Sequence, residues 1–285
     1  MFFLCLLFFG FFINQKNAQL NYYQRPFILN TIRSIPKQVI GSGHNYSTLV
    51  FGIPSNKRLI NSKTVDYLPT TLNNLIQSMT LHEQKKVQLL ISLTDEDLNW
   101  INVTLLNLQT QFATEIQNGL LQIIYPTERF YGDLLEITQG GFGDSLKRVH
   151  WRSKQNLDYA FLMAYASSMA SYYVQLEDDI LTNPGFITDI LKFTYQQKNW
   201  FMIDFSEIGF IGKLFPCSEL SWLIQFFVNF YQDMPVDCLF DSILKMRAGL
   251  KNNQRLAYKK KTLFRHIGKH STLENKIQFV TNFNK

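Results

Sequence analysis

Five short apolar runs, separated by stretches with helical spacing, constrain this 285-residue chain more than any other feature. Thr48–Pro54, Val87–Leu93, Gly119–Tyr125, Tyr172–Leu176 and Trp200–Phe205 are each bounded by polar or turn-forming residues and read as strands. Between the first two, Val65, Leu68, Leu72, Leu75, Ile76 and Met79 recur as one face of a helix. Ile101, Leu105, Leu108 and Phe112 do the same within Leu98–Ile116, and Trp151–Met169 reads as a third helix. Strands alternating with helices of this length predict one α/β domain around a mostly parallel sheet. A polar stretch with Gly132, Gly140, Gly141 and Gly143 precedes the third helix and reads as the most mobile loop of the body.

The fourth run ends in Glu177-Asp178-Asp179. Three adjacent carboxylates repel one another, and a hard divalent cation with oxygen ligands, such as Mg²⁺ or Mn²⁺, relieves that repulsion. In an α/β sheet the C-terminal end of a strand opens on the crevice where ligands bind, so a cation held there could grip a diphosphate. The competing reading is a solvated acidic turn ahead of Asn183-Pro184-Gly185. The triplet alone leaves both open.

Composition narrows the class. The apolar fraction is 46%, which suits a packed globular domain and excludes a disordered chain. The net charge of +6 hints at nucleic acid until it is located: from Lys245 onward there are eleven Lys/Arg residues and one acid, Glu274. The rest of the chain is mildly acidic, so no basic face for nucleic acid is spread over the body. Phe2–Ile13 is apolar apart from one glycine; as a helix it reaches about 18 Å, short of the roughly 30 Å hydrocarbon core. It reads as a signal peptide or short signal-anchor over residues 1–18, with Ala18 near a cleavage point. A stem would follow over 19–45, and one domain over 46–285. Membrane contact is thus expected only through the N-terminal segment. The sequons Asn45-Tyr-Ser47 and Asn102-Val-Thr104 agree with a secretory compartment. Of three cysteines, Cys5 lies in the targeting segment; Cys217 and Cys238 could pair or stay free.

Ordered blocks then become specific. Trp151-Arg-Ser-Lys-Gln-Asn-Leu-Asp-Tyr159, Tyr173-Val-Gln-Leu-Glu-Asp-Asp-Ile180, Phe205-Ser-Glu-Ile-Gly-Phe-Ile-Gly-Lys213, Pro235-Val-Asp237 and Phe264-Arg-His-Ile-Gly-Lys-His-Ser271 follow one another over roughly residues 48–280. Together they resemble the alpha-1,3-mannosyl-glycoprotein 4-beta-N-acetylglucosaminyltransferases. The resemblance implies a GT-A glycosyltransferase fold, a UDP-GlcNAc donor, an N-glycan acceptor, and GlcNAc added in β1,4 linkage to the mannose of the α1,3 arm. It implies Asp179 as the leading metal ligand, with Asp178 assisting and Glu177 on the donor side or structural. His270, or less favourably His266, would complete the metal shell. Arg152 would support the nucleotide. The Gly209–Gly212 turn permits close backbone approach, with Lys213 available to a phosphate or the acceptor. An α-linked donor and a β product imply inversion by a single displacement. The acceptor hydroxyl then needs a general base, Asp237 first and Asp241 as fallback.

Departures from the family pattern ground a second expectation. Cys238 stands where the resemblance implies tryptophan, the Lys245–Arg265 stretch is short, and the chain ends at Lys285, where family catalysts continue into a β-rich, lectin-like region. A non-catalytic luminal protein that regulates another Golgi glycosyltransferase would fit these. A sugar-binding module without transfer is the third and least supported reading. The expected place is the Golgi lumen or membrane, or outside the cell if Phe2–Ile13 is cleaved.

Overall fold

The computed structural model describes residues 37–126, 137, 141, 143–247 and 254–273. The targeting segment, most of the stem, and Gly132 and Gly140 of the expected loop lie outside the described residues. Alternate residues of the central strands face two different cores. In β2 (Ser47–Ser55), Leu49, Phe51 and Ile53 enter one cluster while Val50 enters the other. The hairpin β3 (Arg58–Ile60) and β4 (Lys63–Val65) follows, then α1 (Leu68–Gln77) and α2 (Leu81–Gln84). In β5 (Val87–Leu93) every residue is buried, with Leu89 and Ile91 facing one core and Leu90 the other. Burial on both faces is what a central strand of an α/β sheet requires.

The chain continues through α3 (Leu98–Gln111), α4 (Ala113–Gln117), β6 (Leu121–Pro126), α5 (Leu146–Ala166) and β7 (Ala170–Gln175). Beyond these come β8 (Ile180–Thr182), α6 (Phe186–Gln196), β9 (Trp200–Asp204) and β10 (Lys213–Pro216). The last described elements are α7 (Leu220–Phe230), α8 (Val236–Arg247), β11 (Gln254–Ala257) and β12 (Phe264–His266), and the edge strand β1 (Lys37–Ile40) is the first described one. Among the described residues the main sheet has eight strands in the order β1-β6-β5-β2-β7-β10-β9-β11. β2 runs parallel to β5 and β7, β5 to β6, and β9 to β11, whereas β10 is antiparallel to both its neighbours and β1 to β6. The sheet is mostly parallel, as expected, but carries one antiparallel edge strand, β1, and one antiparallel interior strand, β10.

Helices α1, α3 and α6 cover one face of the sheet, and α5, α7 and α8 the other. On α5, Leu157, Phe161 and Leu162 are at most 1% exposed, and each such side chain contributes about 1.5–3 kcal/mol relative to exposure.

The third helix, expected over Trp151–Met169, runs Leu146–Ala166 and is opened by Ser145, whose hydroxyl accepts the Arg148 N–H; three further boundaries differ, each for a local reason. The first helix begins at Leu68, where Pro69 sits in the opening turn and the Asp66 carboxylate accepts the Leu68 N–H at 3.0 Å. Residues 63–65 instead close a hairpin with Arg58–Ile60 through Asn61 (φ 48°) and Ser62 (φ 64°), the paired left-handed residues that suit strand twist. The second helix breaks at Phe112, a buried residue whose backbone leaves the helical region at φ −119°, ψ 32°. Finally, Lys37–Ile40 lies within the stretch read as stem yet pairs with β6. A four-residue edge strand with Val39 40% exposed leaves little apolar signal to read.

Candidate functional site

Strand β7 delivers the acidic triplet to the C-terminal rim shared by β2, β5 and β7. Helix α1 clamps the turn that follows. The Thr71 hydroxyl donates to the Asp178 carbonyl at 2.8 Å and accepts the Ile180 N–H at 3.0 Å. Asn74 imitates a neighbouring strand, exchanging hydrogen bonds with the N–H and carbonyl of Thr182. On the other side β8 pairs antiparallel with β12, putting His266 opposite Ile180, while the Ile267 N–H donates to the Asp179 carbonyl at 2.8 Å. A segment nearly ninety residues downstream is thereby stitched against the triplet.

That pairing gathers Glu177, Asp179 and His266, whose ligand atoms lie within 4.8 Å of one another. His266 Nε2 is 3.2 Å from Asp179 Oδ2 and 3.9 Å from Glu177 Oε2. Asp179 is 1% exposed, and among the described residues its Oδ1 has no hydrogen-bond partner. A buried carboxylate oxygen left without a donor is costly, and a cation would satisfy it. Two carboxylates and an imidazole are an acceptable donor set for Mn²⁺ and, with a strong oxygen share, for Mg²⁺. The residues present therefore fit a divalent cation. Glu177 closes the accessible side of the cluster, with 28% of its side chain exposed. Burial of its carboxyl group and the charge of Asp179 push its pKa up to about 8, with His266 and Arg58 pulling the other way.

Asp178 and His270, both expected as ligands, do not join this group. Both carboxylate oxygens of Asp178 accept from Arg58, at 2.5 and 2.8 Å, and the Ser55 hydroxyl donates to Oδ2 as well. His270 lies four residues past the β12 pairing, and its backbone carbonyl accepts from Arg58 Nε at 3.1 Å. Arg58 itself escaped the sequence reading. A two-residue turn between short strands was the only local sign of its hairpin, and nothing local pointed to its partner.

The glycine turn sits where the sequence placed it, between β9 and β10. Gly212 (φ 66°) donates its N–H to Gln175 and accepts from Phe205, and a Cβ there would meet the Phe264 ring at 2.8 Å. Gly209 faces Glu177. Lys213, in contrast, is 4% exposed, with its ammonium 2.7 Å from Asp204 and 2.8 Å from the Ser206 carbonyl. That amine ties two strands together and is committed within the fold.

Asp237 lies in the first turn of α8 and is exposed, as is Asp241 one turn later. Tyr159 is buried on α5. Burial raises its phenol pKa first, and the charges of Glu177 and Asp237 raise it further, so both carboxylates bear on one hydroxyl. What holds α8 in this place is the block expected on the nucleotide side. Asn156, fully buried, donates to the carbonyls of Tyr231 and Met234, each at 2.9 Å, and Arg152 donates to the Gln232 carbonyl at 3.0 Å while pairing with Asp144 at 3.2 Å. Burial lowers the Arg152 pKa, with Asp144 opposing. These side chains grip the loop that leads into Asp237. Lys154 of the same block contacts the Thr94 carbonyl at the end of β5 and Asp158.

Cys217 and Cys238 form no disulfide with each other. Asn45 and Asn102 are exposed, as glycan acceptors must be. Among the described residues no helix is long and apolar enough to cross a membrane.

Residues 17–284 match the family model described as "MGAT4 conserved region". The chain belongs to this family. Mouse alpha-1,3-mannosyl-glycoprotein 4-beta-N-acetylglucosaminyltransferase A is 38% identical over 274 residues, covering 91% of this chain and 50% of that protein. The human enzyme named with the suffix B is 37% identical over 271 residues, covering 90% and 48%. This MGAT4-family chain spans about half the length of the curated relatives it matches. Among solved structures, apo mouse xyloside xylosyltransferase 1 gives a TM-score of 0.42 at 10% identity, over 74% of this chain and 84% of that one.

Proposed function

We propose that this MGAT4-family chain is an inverting, metal-dependent glycosyltransferase of GT-A type. In this reading it moves GlcNAc from UDP-GlcNAc, in β1,4 linkage, to the α1,3-arm mannose of N-glycans in the Golgi lumen. The observation that carries the reading is the orphaned Asp179 Oδ1 within the Glu177–Asp179–His266 cluster. It stands on the rim of β2, β5 and β7, where α/β sheets take their ligands. The names of the family relatives support the donor and acceptor classes. The sequons and the N-terminal apolar segment support the compartment.

Glu177, Asp179 and His266 would hold Mn²⁺ or Mg²⁺, which when bound supplies charge compensation for the departing diphosphate. Asp237 would accept the proton of the mannose 4-hydroxyl as that oxygen bonds to the sugar C1. The bond from C1 to the β-phosphate oxygen breaks, and its electron pair leaves with UDP. A base placed this way contributes about 10²–10⁴-fold.

One observation favours a second reading, a luminal regulator of another N-acetylglucosaminyltransferase: Cys238, beside Asp237, puts a small, half-buried side chain where an aromatic face was expected. UDP release from UDP-GlcNAc with Mn²⁺, with and without a GlcNAc-capped biantennary acceptor, separates the two. Acceptor-dependent release, lost by at least 10²-fold in Asp237→Asn while donor binding persists, supports the transferase. Donor binding without any transfer supports the regulator. Full turnover in Asp237→Asn moves the base to Asp241.

A further inference from the structure

Arg58 stands against the acidic triplet as a fixed cation, brought there from 120 residues upstream of Asp178. Its guanidinium spans both oxygens of Asp178, reaches Asp179 Oδ2 at 3.2 Å, and donates through Nε to the His270 carbonyl. The Tyr67 ring lies 5.5 Å away, and Arg58 is only 6% exposed. Burial opposes its charge, but the ion pair and hydrogen bonds with Asp178, backed by Asp179 and Glu177, outweigh burial and raise its pKa. Arg58 and His266 share one oxygen of Asp179, so the guanidinium abuts the cluster through Asp179 itself.

A triplet of carboxylates with no such neighbour would attract divalent ions unaided. Here one of its charges is already offset, and an arriving dication meets a fixed positive charge across Asp179. In a partly buried site that repulsion is weakly screened. A nucleotide diphosphate brings the negative charge that relieves it. We infer that Arg58 keeps the bare cation weakly bound and makes the cation and a nucleoside diphosphate bind as a couple. This rests on the reading above that the cluster takes a cation together with a nucleotide donor. By linkage each ligand must then tighten the other by the same factor.

The alternative is that Arg58 is only a strut for Asp178 and the 266–271 segment. A strut and a counter-charge predict opposite signs. If Arg58 merely holds the cluster together, removing it loosens the cluster and weakens metal binding. If it acts by charge, removing it strengthens the binding of bare metal.

The test measures free Mn²⁺ by electron paramagnetic resonance at pH 7.5, corrected for the Mn²⁺–UDP complex in solution. It uses the full chain as wild type, Arg58→Met, Arg58→Gln and Arg58→Lys, with and without UDP. Wild type should bind Mn²⁺ at least tenfold tighter with UDP. A folded neutral variant should bind bare Mn²⁺ at least tenfold tighter than wild type and gain less from UDP, while Arg58→Lys should behave as wild type. Equal or weaker bare Mn²⁺ binding in a neutral variant with an unchanged melting curve overturns the inference. Should neither neutral variant fold, wild type decides: equal Mn²⁺ affinity with and without UDP overturns the coupling. Wild type that binds no Mn²⁺ even with UDP overturns the metal-site reading itself.

Discussion

Gly268 runs so close to the Asp179 carboxylate that a methyl group on it would fall 1.9 Å from Oδ2. The contact has a sequence cause and a spatial consequence. Only glycine lets the strand leaving β12 pass flush against Asp179, and that passage brings His266 within reach of the same oxygen. Gly268→Ala should push the two apart, costing about 1–3 kcal/mol of stability through overpacking. Mn²⁺ affinity should fall at least tenfold. Chemical denaturation and a Mn²⁺ titration check the two effects, and wild-type behaviour in both would show that the approach is relaxed without cost.

Cation binding should be coupled to pH through Glu177. Its carboxyl, pushed up to about 8, faces Asp178, Asp179, His266 and Arg58. The sign follows from the raised value. Between the ordinary carboxylate pKa of 4.5 and about 8 the folded protein keeps a proton that the unfolded chain has released. This group's contribution to stability is therefore present at low pH and is lost as pH rises through that window. A cation must displace the proton, so Mn²⁺ affinity should rise about tenfold per unit from pH 6 and level off near 8. Calorimetry in buffers of different ionisation enthalpy at pH 7 should register about one proton released; none released would remove Glu177 from the ligand set.

Asn156 makes two hydrogen bonds to the loop before α8 and is fully buried. Asn156→Ala should cost about 1–3 kcal/mol, because each deserted carbonyl retains its desolvation penalty. Since the loop sets the stance of Asp237 and not the metal cluster, kcat should drop by at least tenfold with UDP-GlcNAc affinity held within about twofold. A parallel loss of both would make Asn156 a general stabiliser and no positioning residue.

The two thiols should differ in reactivity. Burial pushes Cys217 up to about 12, leaving almost no thiolate at pH 8, while Cys238 is half-buried. Iodoacetamide at pH 8, read by peptide mass spectrometry, should label Cys238 well before Cys217 in native protein and both alike in denaturant. Equal native rates would mean that the sheet opens locally at Cys217.

Strand β5 occupies Val87–Leu93, the very bounds of its apolar run, and β9 and the triplet after β7 stand where the pattern put them. Local sequence settles such features because burial on a sheet demands apolar side chains at every or every second position, and those demands are met within a few residues. The glycine turn after β9 was legible for the same reason. The site was legible only in part. Asp179 was visible as a residue type at a strand end, but its partners come from elsewhere: Arg58 from a hairpin 121 residues away, His266 through the pairing of β12 with β8. Nothing in the spacing of His266 and His270 says which imidazole faces a carboxylate, since that depends on strand register and on the absence of a side chain at Gly268. Arg152 and Asn156 stood out as a polar block on a helix, yet which loop they bind is decided by how α5 packs under α7 and α8. Apolar pattern is a local record of burial, whereas the pairing of charges is a long-range consequence of chain crossing, and only the folded chain contains it.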